Sequence, residues 1–231
     1  MVASSAAGQK LLFFYCSFTC VYLPGILILL KFNNNLYNVG TYKFMPILLI
    51  LILAEVVKLS FSLLLQTDQQ VLVKNESRTN QKSRKSCSKA LKSVMKFFVS
   101  SLLLSITYYT IIILFGAPVL SLREETIMLT LTLVTLTFVP ACLHLGIDNA
   151  LVLLFGVPSD IFAEYIKTNV KFTLMGTWLG AIAIPLDWDR PWQAWPIPCV
   201  TSALIGYTLA HFFTLVGMLP IMKNAKAKFY R

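Results

Sequence analysis

The sequence has 231 residues, of which 57% are hydrophobic and 13% are charged, and its mean hydropathy is +0.71. Soluble domains carry about 25% charged residues, so this composition excludes a water-soluble globular protein and predicts a protein embedded in lipid. The formal net charge of +10 does not indicate a nucleic-acid-binding protein, because the basic residues stand in short segments between long apolar runs.

Six apolar runs follow one another along the chain. Each approaches or exceeds the length of about 20 residues that a helix needs to cross the hydrocarbon core of a bilayer. Backbone groups inside hydrocarbon must pair within their own segment, and the runs do not alternate as barrel strands do. The sequence therefore predicts an all-α fold, a polytopic transmembrane helix bundle that forms one domain. The predicted spans are 11–30, 44–65, 95–115, 126–146, 170–186 and 197–219.

The Lys and Arg residues are distributed unequally between the two sides of such a bundle. With six spans both termini share a side with the segments 66–94 and 147–169, and thirteen basic residues fall there against four on the other side. By the positive-inside rule, this bias predicts that both termini and the basic loop 66–94 are cytosolic. The seven basic residues of that loop either only set the topology or also touch anionic lipids.

Two ionisable residues stand inside the second predicted span. Glu55 and Lys58 are three residues apart and therefore share one face of a helix. Ionisable groups within a membrane indicate a functional site by default, but an intramembrane ion pair whose lysine extends towards the cytosol explains them as well. That interpretation predicts that the substitution Glu55→Gln alone is tolerated. His144 and His211 have no carboxylate neighbours at ligand spacing and are interpreted as structural.

Small residues recur at four-residue spacing on the fifth and sixth predicted spans. They are Gly176, Gly180, Ser202 and Gly206. Such patterns let two membrane helices approach each other closely. The pattern predicts either that these two spans pack together or that they form an interface with another protein.

All four Trp residues fall within the segment 176–198, which also holds four of the ten Pro residues. Trp favours the level of the lipid headgroups and Pro stiffens a connection that is not helical, so the sequence predicts a rigid interfacial hairpin over 187–196 on the lumenal side. Either Arg190 pairs with an Asp and the indoles anchor the turn, or the hairpin docks a protein or a lipid headgroup. The candidate contact residues are Asp187, Trp188, Asp189, Arg190, Trp192, Gln193 and Trp195.

The predicted lumenal segments lack the residue types that catalysis needs. Their usable groups are Arg123, Glu124, Glu125 and the charged residues of the hairpin, with no His or Cys among them. Metal-assisted phosphoryl transfer needs several Asp or His ligands, and a Ser or Cys nucleophile needs a base within reach. The sequence therefore predicts no catalytic residue, no metal site and no cofactor.

The hairpin and a segment before it resemble a known family. The core of the match is IPLDWDRPWQAWPI at 184–197, and a second block comprises LFGAPVL at 114–120 and VPAC at 139–142. Together they resemble the signature of the PIG-F family, the phosphatidylinositol-glycan class F proteins of GPI-anchor biosynthesis. The matching motif residues are Gly116, Pro118, Pro185, Asp187, Trp188, Asp189, Arg190, Trp192, Gln193, Trp195 and Pro196.

The resemblance implies a non-catalytic subunit of the endoplasmic-reticulum membrane that binds and stabilises the large ethanolamine phosphate transferases acting on GPI precursors. It implies a hetero-oligomer with those transferases, with membrane lipids and the GPI precursor glycolipid as further candidate partners, and it assigns the motif residues no catalytic role. The alternative is a stand-alone intramembrane lipid transferase or lipid carrier. That protein would use Glu55 and the Asp187–Arg190 cluster as its polar groups.

Overall fold

The structure is a computed structural model that describes residues 2–33, 35–73, 86–118, 121–156, 161–186 and 188–229. Within these residues the chain forms seven α-helices and three short 3-10 helices, and no strand. The α-helices are α1 (Val2–Phe32), α2 (Met45–Val73), α3 (Ser86–Leu114), α4 (Arg123–Leu145), α5 (Ile147–Phe155), α6 (Ile161–Ala181) and α7 (Ile197–Phe229). The predicted all-α fold class is confirmed.

Five of the described helices are long and apolar enough to cross a membrane. Their apolar stretches are Leu11–Phe32, Tyr42–Leu64, Leu91–Leu114, Arg123–Leu145 and Ile197–Leu219. These stretches lie at five of the six predicted spans and differ from them by a few residues at their ends. The protein is therefore built as a multi-span bundle.

The fifth predicted span, 170–186, differs from the structure. Its helix, α6, begins at Ile161 and ends at Ala181, and residues 182–185 form a turn. The apolar run continues past the helix end, but Pro185 disfavours a helical conformation in the residue before it. α6 is not one of the five helices that are apolar enough to span by composition, because its first half carries Glu164, Lys167 and Lys171.

The segments 66–94 and 147–169, predicted as connections, contain helix as well. α2 continues to Val73 and α3 already begins at Ser86, while residues 74–85 lie outside the described residues. In the second segment, α5 forms and α6 begins. The polar end of α2 contains no Gly or Pro. The residues after the apolar run tolerate a helical conformation, so α2 continues to Val73 although its last turns contain polar residues. The end of the apolar run therefore predicted the end of the helix too early.

α4 is the central helix of the bundle. In its most apolar 18 residues 83% are buried, compared with 17% in those of α3. The buried hydroxyls of Thr130 and Thr132 donate to backbone carbonyls one turn earlier, over 2.9 and 2.7 Å. Because these bonds satisfy the hydroxyls within the helix itself, α4 can be surrounded by apolar side chains of its neighbours.

Two contacts mark the two ends of the bundle. At one end, which we call the hairpin end, the backbone N–H of Tyr42 donates to Glu124 Oε1 over 2.6 Å and joins the turn after α1 to the start of α4. At the opposite end, Lys96 of α3 forms an ion pair with Asp148 of α5. The hairpin, which connects α6 to α7, lies at the first of these ends.

Candidate functional site

The hairpin is held in shape by the side chain of Gln193, which is 8% exposed. Its amide nitrogen donates to the carbonyl oxygens of Ala183 at 2.9 Å and Leu186 at 2.6 Å. Its amide oxygen accepts a hydrogen bond of 3.1 Å from the backbone N–H of Arg190. Both donors and one acceptor site of the amide are thus used. Gln193 is a structural brace rather than the exposed contact residue that the sequence suggests.

The hairpin exposes two indoles and two charged side chains. Trp188 is 57% exposed and Trp192 is 36% exposed, and their rings meet edge to face with centroids 6.0 Å apart. Asp189 and Arg190 are exposed, and neither forms an ion pair with another described residue. Asp187 lies outside the described residues. Arg190 therefore does not pair with Asp189, and the predicted pairing with Asp187 lies outside the described residues.

The end of the hairpin is fixed to the helix bundle. The indole N–H of Trp195 donates to Thr126 Oγ1 of α4 over 3.2 Å. The ring of Pro196 packs so closely on Gly40 that a Cβ added there would overlap it. Trp195 therefore anchors the hairpin, whereas Trp188 and Trp192 remain available at the surface.

Small residues bring α6 and α7 into contact at the level of the backbone. The residues that meet are Gly176, Gly180 and Phe172 of α6 and Pro198, Ser202 and Gly206 of α7. A Cβ added to Gly176 would overlap the Ser202 carbonyl oxygen and would lie 3.3 Å from the Cα of Gly206. The small-residue face is thus occupied by the packing of the two helices against each other, and it is not a surface for another protein.

Glu55 is the centre of a buried polar cluster that joins three helices of the bundle. The hydroxyl of Tyr15 in α1 donates to its Oε2, and the hydroxyl of Tyr207 in α7 donates to its Oε1 over 2.8 Å. Lys58 Nζ lies 2.5 Å from Oε1. The carboxylate is 3% exposed, so these three donors replace the water that the charge has lost.

Lys58 does not extend towards the cytosol. It is 2% exposed, its Nζ donates to Thr19 Oγ1 over 2.9 Å, and it lies 3.8 Å from the centroid of the Tyr15 ring. The prediction of a lysine that reaches the membrane surface is therefore wrong. The hydroxyl and the aromatic face that α1 supplies stabilise the ammonium inside the bundle, in addition to the carboxylate of Glu55.

Two histidines and an asparagine border this cluster. His144 Nε2 of α4 lies 3.8 Å from Glu55 Oε2, beyond hydrogen-bond distance. His211 Nδ1 lies 2.7 Å from the carbonyl oxygen of Tyr207, and its Nε2 lies 3.3 Å from Asn169 Nδ2. The two histidines were predicted as isolated structural residues, without a connection to Glu55. The spacing of Tyr207 and His211 could have indicated a polar cluster, because the two are four residues apart and therefore share one face of an apolar helix.

The polar cluster is arranged to hold helices together. Each oxygen of Glu55 is hydrogen-bonded to another side chain of the bundle, and the aromatic rings of Tyr15 and Tyr207 enclose it. In the part of the chain that the structure describes, no three His, Cys, Asp or Glu side chains are grouped as metal ligands would be. The geometry favours a structural link over a reaction centre.

Comparison with known proteins identifies relatives along most of this chain. A family model described as "GPI biosynthesis protein family Pig-F" matches residues 20–215. The human "GPI ethanolamine phosphate transferase, stabilizing subunit" is 37% identical over 152 residues, which are 64% of this chain and 68% of the human protein. The mouse protein of the same name is 38% identical over 147 residues, 62% of this chain and 64% of that protein.

A fungal relative shows the same similarity over a shorter region. The "Glycosylphosphatidylinositol anchor biosynthesis protein 11" of Debaryomyces hansenii is 40% identical over 112 residues, 47% of this chain and 48% of that protein. The chain thus spans about half the length of this fungal relative. No solved structure matches the chain. The family match runs from α1 into α7 and contains both Glu55 and the hairpin, and the chain therefore belongs to the PIG-F family of GPI biosynthesis proteins.

Proposed function

We propose that this chain is a non-catalytic membrane subunit that binds and stabilises an ethanolamine phosphate transferase of GPI-anchor biosynthesis. The observation that carries the proposal is the hairpin, a braced and anchored segment that presents Trp188, Trp192 and Arg190 at the surface. The names of the human and mouse relatives, stabilizing subunits of such a transferase, support the same role.

The hairpin has the properties of a protein-docking surface. Trp and Arg are the residue types that most often contribute a large share of binding energy at interfaces. Gln193 and Trp195 fix the backbone in advance, so binding costs little conformational entropy. Because the small-residue face is buried in the contact between α6 and α7, we propose that the partner binds at the hairpin and not at that face. Because the hairpin also carries charged groups, it is the surface at which the GPI precursor glycolipid would bind.

The alternative function, a stand-alone lipid transferase or carrier, requires its polar groups to reach a lipid. Glu55 is enclosed by Tyr15, Lys58 and Tyr207 and is 3% exposed. A substrate would have to displace these donors from the carboxylate, each of which replaces lost hydration. Glu55 is therefore not available to a lipid, and the names of the human and mouse relatives favour the accessory subunit.

We expect Trp192→Ala to weaken the association with the transferase. Removing an exposed anchor of this kind costs about 2 kcal/mol of binding free energy, roughly a thirtyfold loss of affinity. The measurement is the amount of transferase that co-purifies in mild detergent, divided by the amount of this chain in the membrane. Tyr37→Ala is the matched control, because Tyr37 is an exposed aromatic residue at the same end of the bundle, outside the hairpin.

The control should retain the transferase. Equal loss with Tyr37→Ala, or normal association with Trp192→Ala, would argue against docking at the hairpin. Transferase activity in the purified single chain would overturn the accessory role itself.

We propose that the protein resides in the endoplasmic-reticulum membrane with both termini in the cytosol and the hairpin in the lumen. The excess of Lys and Arg on one side supports this orientation. α6 packs along α7 through the small-residue contact and is proposed as the sixth crossing. The chain enters and leaves the hairpin from the same side of the bilayer, which requires that these two helices run in opposite directions.

This orientation is tested with a single substitution. Tyr37→Thr turns Asn35-Leu36-Tyr37 into a glycosylation sequon in an exposed turn at the hairpin end. We expect a mobility shift that glycosidase treatment removes and that an added Asn35→Gln abolishes. Asn75 heads a sequon in the proposed cytosolic loop and should stay unmodified. Sugar on Asn75, with none on Asn35, would reverse the topology.

A further inference from the structure

A cavity of about 940 Å³ lies at the hairpin end of the bundle, between α3 and α6. Leu129 and Leu133 of α4 and Cys199 of α7 form its floor. Pro185 and Trp195 border it on the side of the hairpin. The cavity is as large as many small-molecule sites, whose volumes run from about 300 to 1,000 Å³.

The cavity opens sideways, between two helices that face the membrane. Its floor is closed, since Leu129 and Cys199 are each 1% exposed. Phe115, directly after α3, is 75% exposed and Trp178 of α6 is 57% exposed, and these side chains form its two lips. An opening with such apolar lips on membrane helices leads into hydrocarbon and not into water.

Three of the polar side chains that line the cavity are already bonded to protein. The Tyr108 hydroxyl pairs with Thr137 at 3.1 Å, and the Thr177 hydroxyl donates to the carbonyl oxygen of Thr173. The Trp195 indole donates to Thr126. An occupant therefore contacts almost only apolar surface. A polar occupant would lose hydrogen bonds there at a cost in free energy, so these surroundings favour a hydrocarbon chain.

The depth of the cavity argues against a transmembrane helix as its occupant. Along the helical part of α6 the lining runs from Leu174 to Ala181, which is about 10 Å at 1.5 Å per residue. A spanning helix needs about 30 Å, so the cavity would hold only a third of it. Acyl chains extend from the headgroup into one leaflet, which is about 15 Å deep. They match both the position and the depth of the cavity.

Two arginines provide positive charge at the same end. Arg123 begins α4, one turn before Thr126, to which the Trp195 indole donates. Arg190 belongs to the hairpin that borders the cavity. Both are exposed, and neither forms an ion pair within the described part of the chain. Guanidinium groups are well suited to phosphate, and a phosphate is the group that joins lipid tails to a polar headgroup.

We propose that this cavity binds the acyl chains of a phosphoglycerolipid, with the lipid phosphate at Arg123 and Arg190. The inference rests on the proposed function only in the choice of headgroup, phosphatidylinositol, which is part of the glycolipid named in the curated fungal relative. The binding of acyl chains stands on the cavity alone.

The test is photolabelling of the purified full chain in nanodiscs. The probes are a phosphatidylinositol with a diazirine in its acyl chain and a diacylglycerol with the same labelled chain. The labelled residues are located by mass spectrometry. The cavity is filled by Ala181→Trp, and the matched control is Leu179→Trp, because Leu179 is 52% exposed on the same helix and does not line the cavity.

We expect the phosphatidylinositol probe to label the floor around Leu129 and Cys199 in the wild-type chain. Ala181→Trp should lower this labelling at least about fivefold, roughly 1 kcal/mol, while Leu179→Trp leaves it unchanged. Replacing Arg123 and Arg190 together by Ala should reduce it to the level of the diacylglycerol probe. If Ala181→Trp does not give a folded chain by size-exclusion chromatography, Thr177→Phe fills the same space.

Labelling spread evenly over the exposed face of α3, and equal in all variants, would overturn the site. Equal labelling by both probes would overturn the role of the two arginines. Loss of the transferase with Ala181→Trp, combined with no labelling of the floor in the wild-type chain, would show that the cavity belongs to the partner. The co-purification experiment with Trp192→Ala fails or succeeds independently of these results.

Discussion

Glu55→Ala is expected to destabilise the bundle by about 3–5 kcal/mol, the cost of leaving one member of a buried ion pair without its partner. The Lys58 ammonium would remain at 2% exposure, with Thr19 and the rings of Tyr15 and Tyr22 as its remaining neighbours. The expected result is a large drop in the melting temperature in detergent, measured by size-exclusion chromatography after heating. The abundance of the chain in the membrane should fall with it.

The charge accounts for most of this effect. Side-chain hydrogen bonds inside membrane proteins average about 0.6 kcal/mol, so the two tyrosine hydroxyls that lose their acceptor add about 1 kcal/mol together. A Lys at the centre of a membrane helix costs about 2.5–3.5 kcal/mol even when it can reach for water, and Lys58 is enclosed. The expectation that Glu55→Gln is tolerated rested on a lysine that reaches the surface, whereas Lys58 is 2% exposed.

A matched control lies at the opposite end of the bundle. Asp148→Ala removes the carboxylate of the Lys96–Asp148 pair, whose side chains are 49% and 79% exposed, and should cost less than about 1 kcal/mol. The double variant Glu55→Leu, Lys58→Met should be more stable than Glu55→Ala, because no charge is left unpaired. An unchanged melting temperature for Glu55→Ala would show that the cluster is not a link between helices.

Gly206→Leu should separate α6 from α7. A Cβ at this position would overlap the carbonyl oxygen of Phe172, and the Cα of Gly176 lies 3.3 Å away. A carbonyl in a helix does not rotate aside as a side chain does, so the helices must move apart. The loss should reach or exceed the upper end of the range of about 1–3 kcal/mol for overpacked cores.

Gly217→Leu is the control for this substitution, in the same helix. A Cβ at Gly217 has no atom within 4 Å, and Leu favours a helix more than Gly does by nearly 1 kcal/mol. We expect its melting temperature to stay the same or rise. If both substitutions lowered the melting temperature equally, the close contact between α6 and α7 would not be what Gly206 provides.

The hairpin shows how much of a site can be predicted from sequence. Its position and its non-helical conformation follow from the concentration of Trp and Pro in 176–198. The roles of its members do not follow, because the pattern is the same for a side chain that braces and one that is exposed. Gln193 turned inward because two carbonyl groups at the hairpin entry lie within its reach, a distance that only the folded backbone determines.

The polar cluster shows what the sequence does not reveal. Glu55 and Lys58 are visible as a pair because they share a helix, but Tyr207 lies 152 residues from Glu55. Tyr is common on membrane helices, and nothing local distinguishes Tyr15 and Tyr207, which donate to the carboxylate, from one that faces lipid. The partners of the carboxylate depend on which helices lie side by side in the bundle. Apolar runs of similar composition do not indicate how the helices are arranged.

The long separation between Glu55 and Tyr207 also has a consequence for biogenesis. At a synthesis rate of about 5–20 residues per second, the 152 residues between them take about 8 to 30 s to be translated. During that interval the nascent chain already holds Tyr15, Thr19, Glu55 and Lys58, which hydrogen-bond with one another. The first two helices can therefore leave the translocon as a pair with matched charges, and α7 closes the bundle around them later.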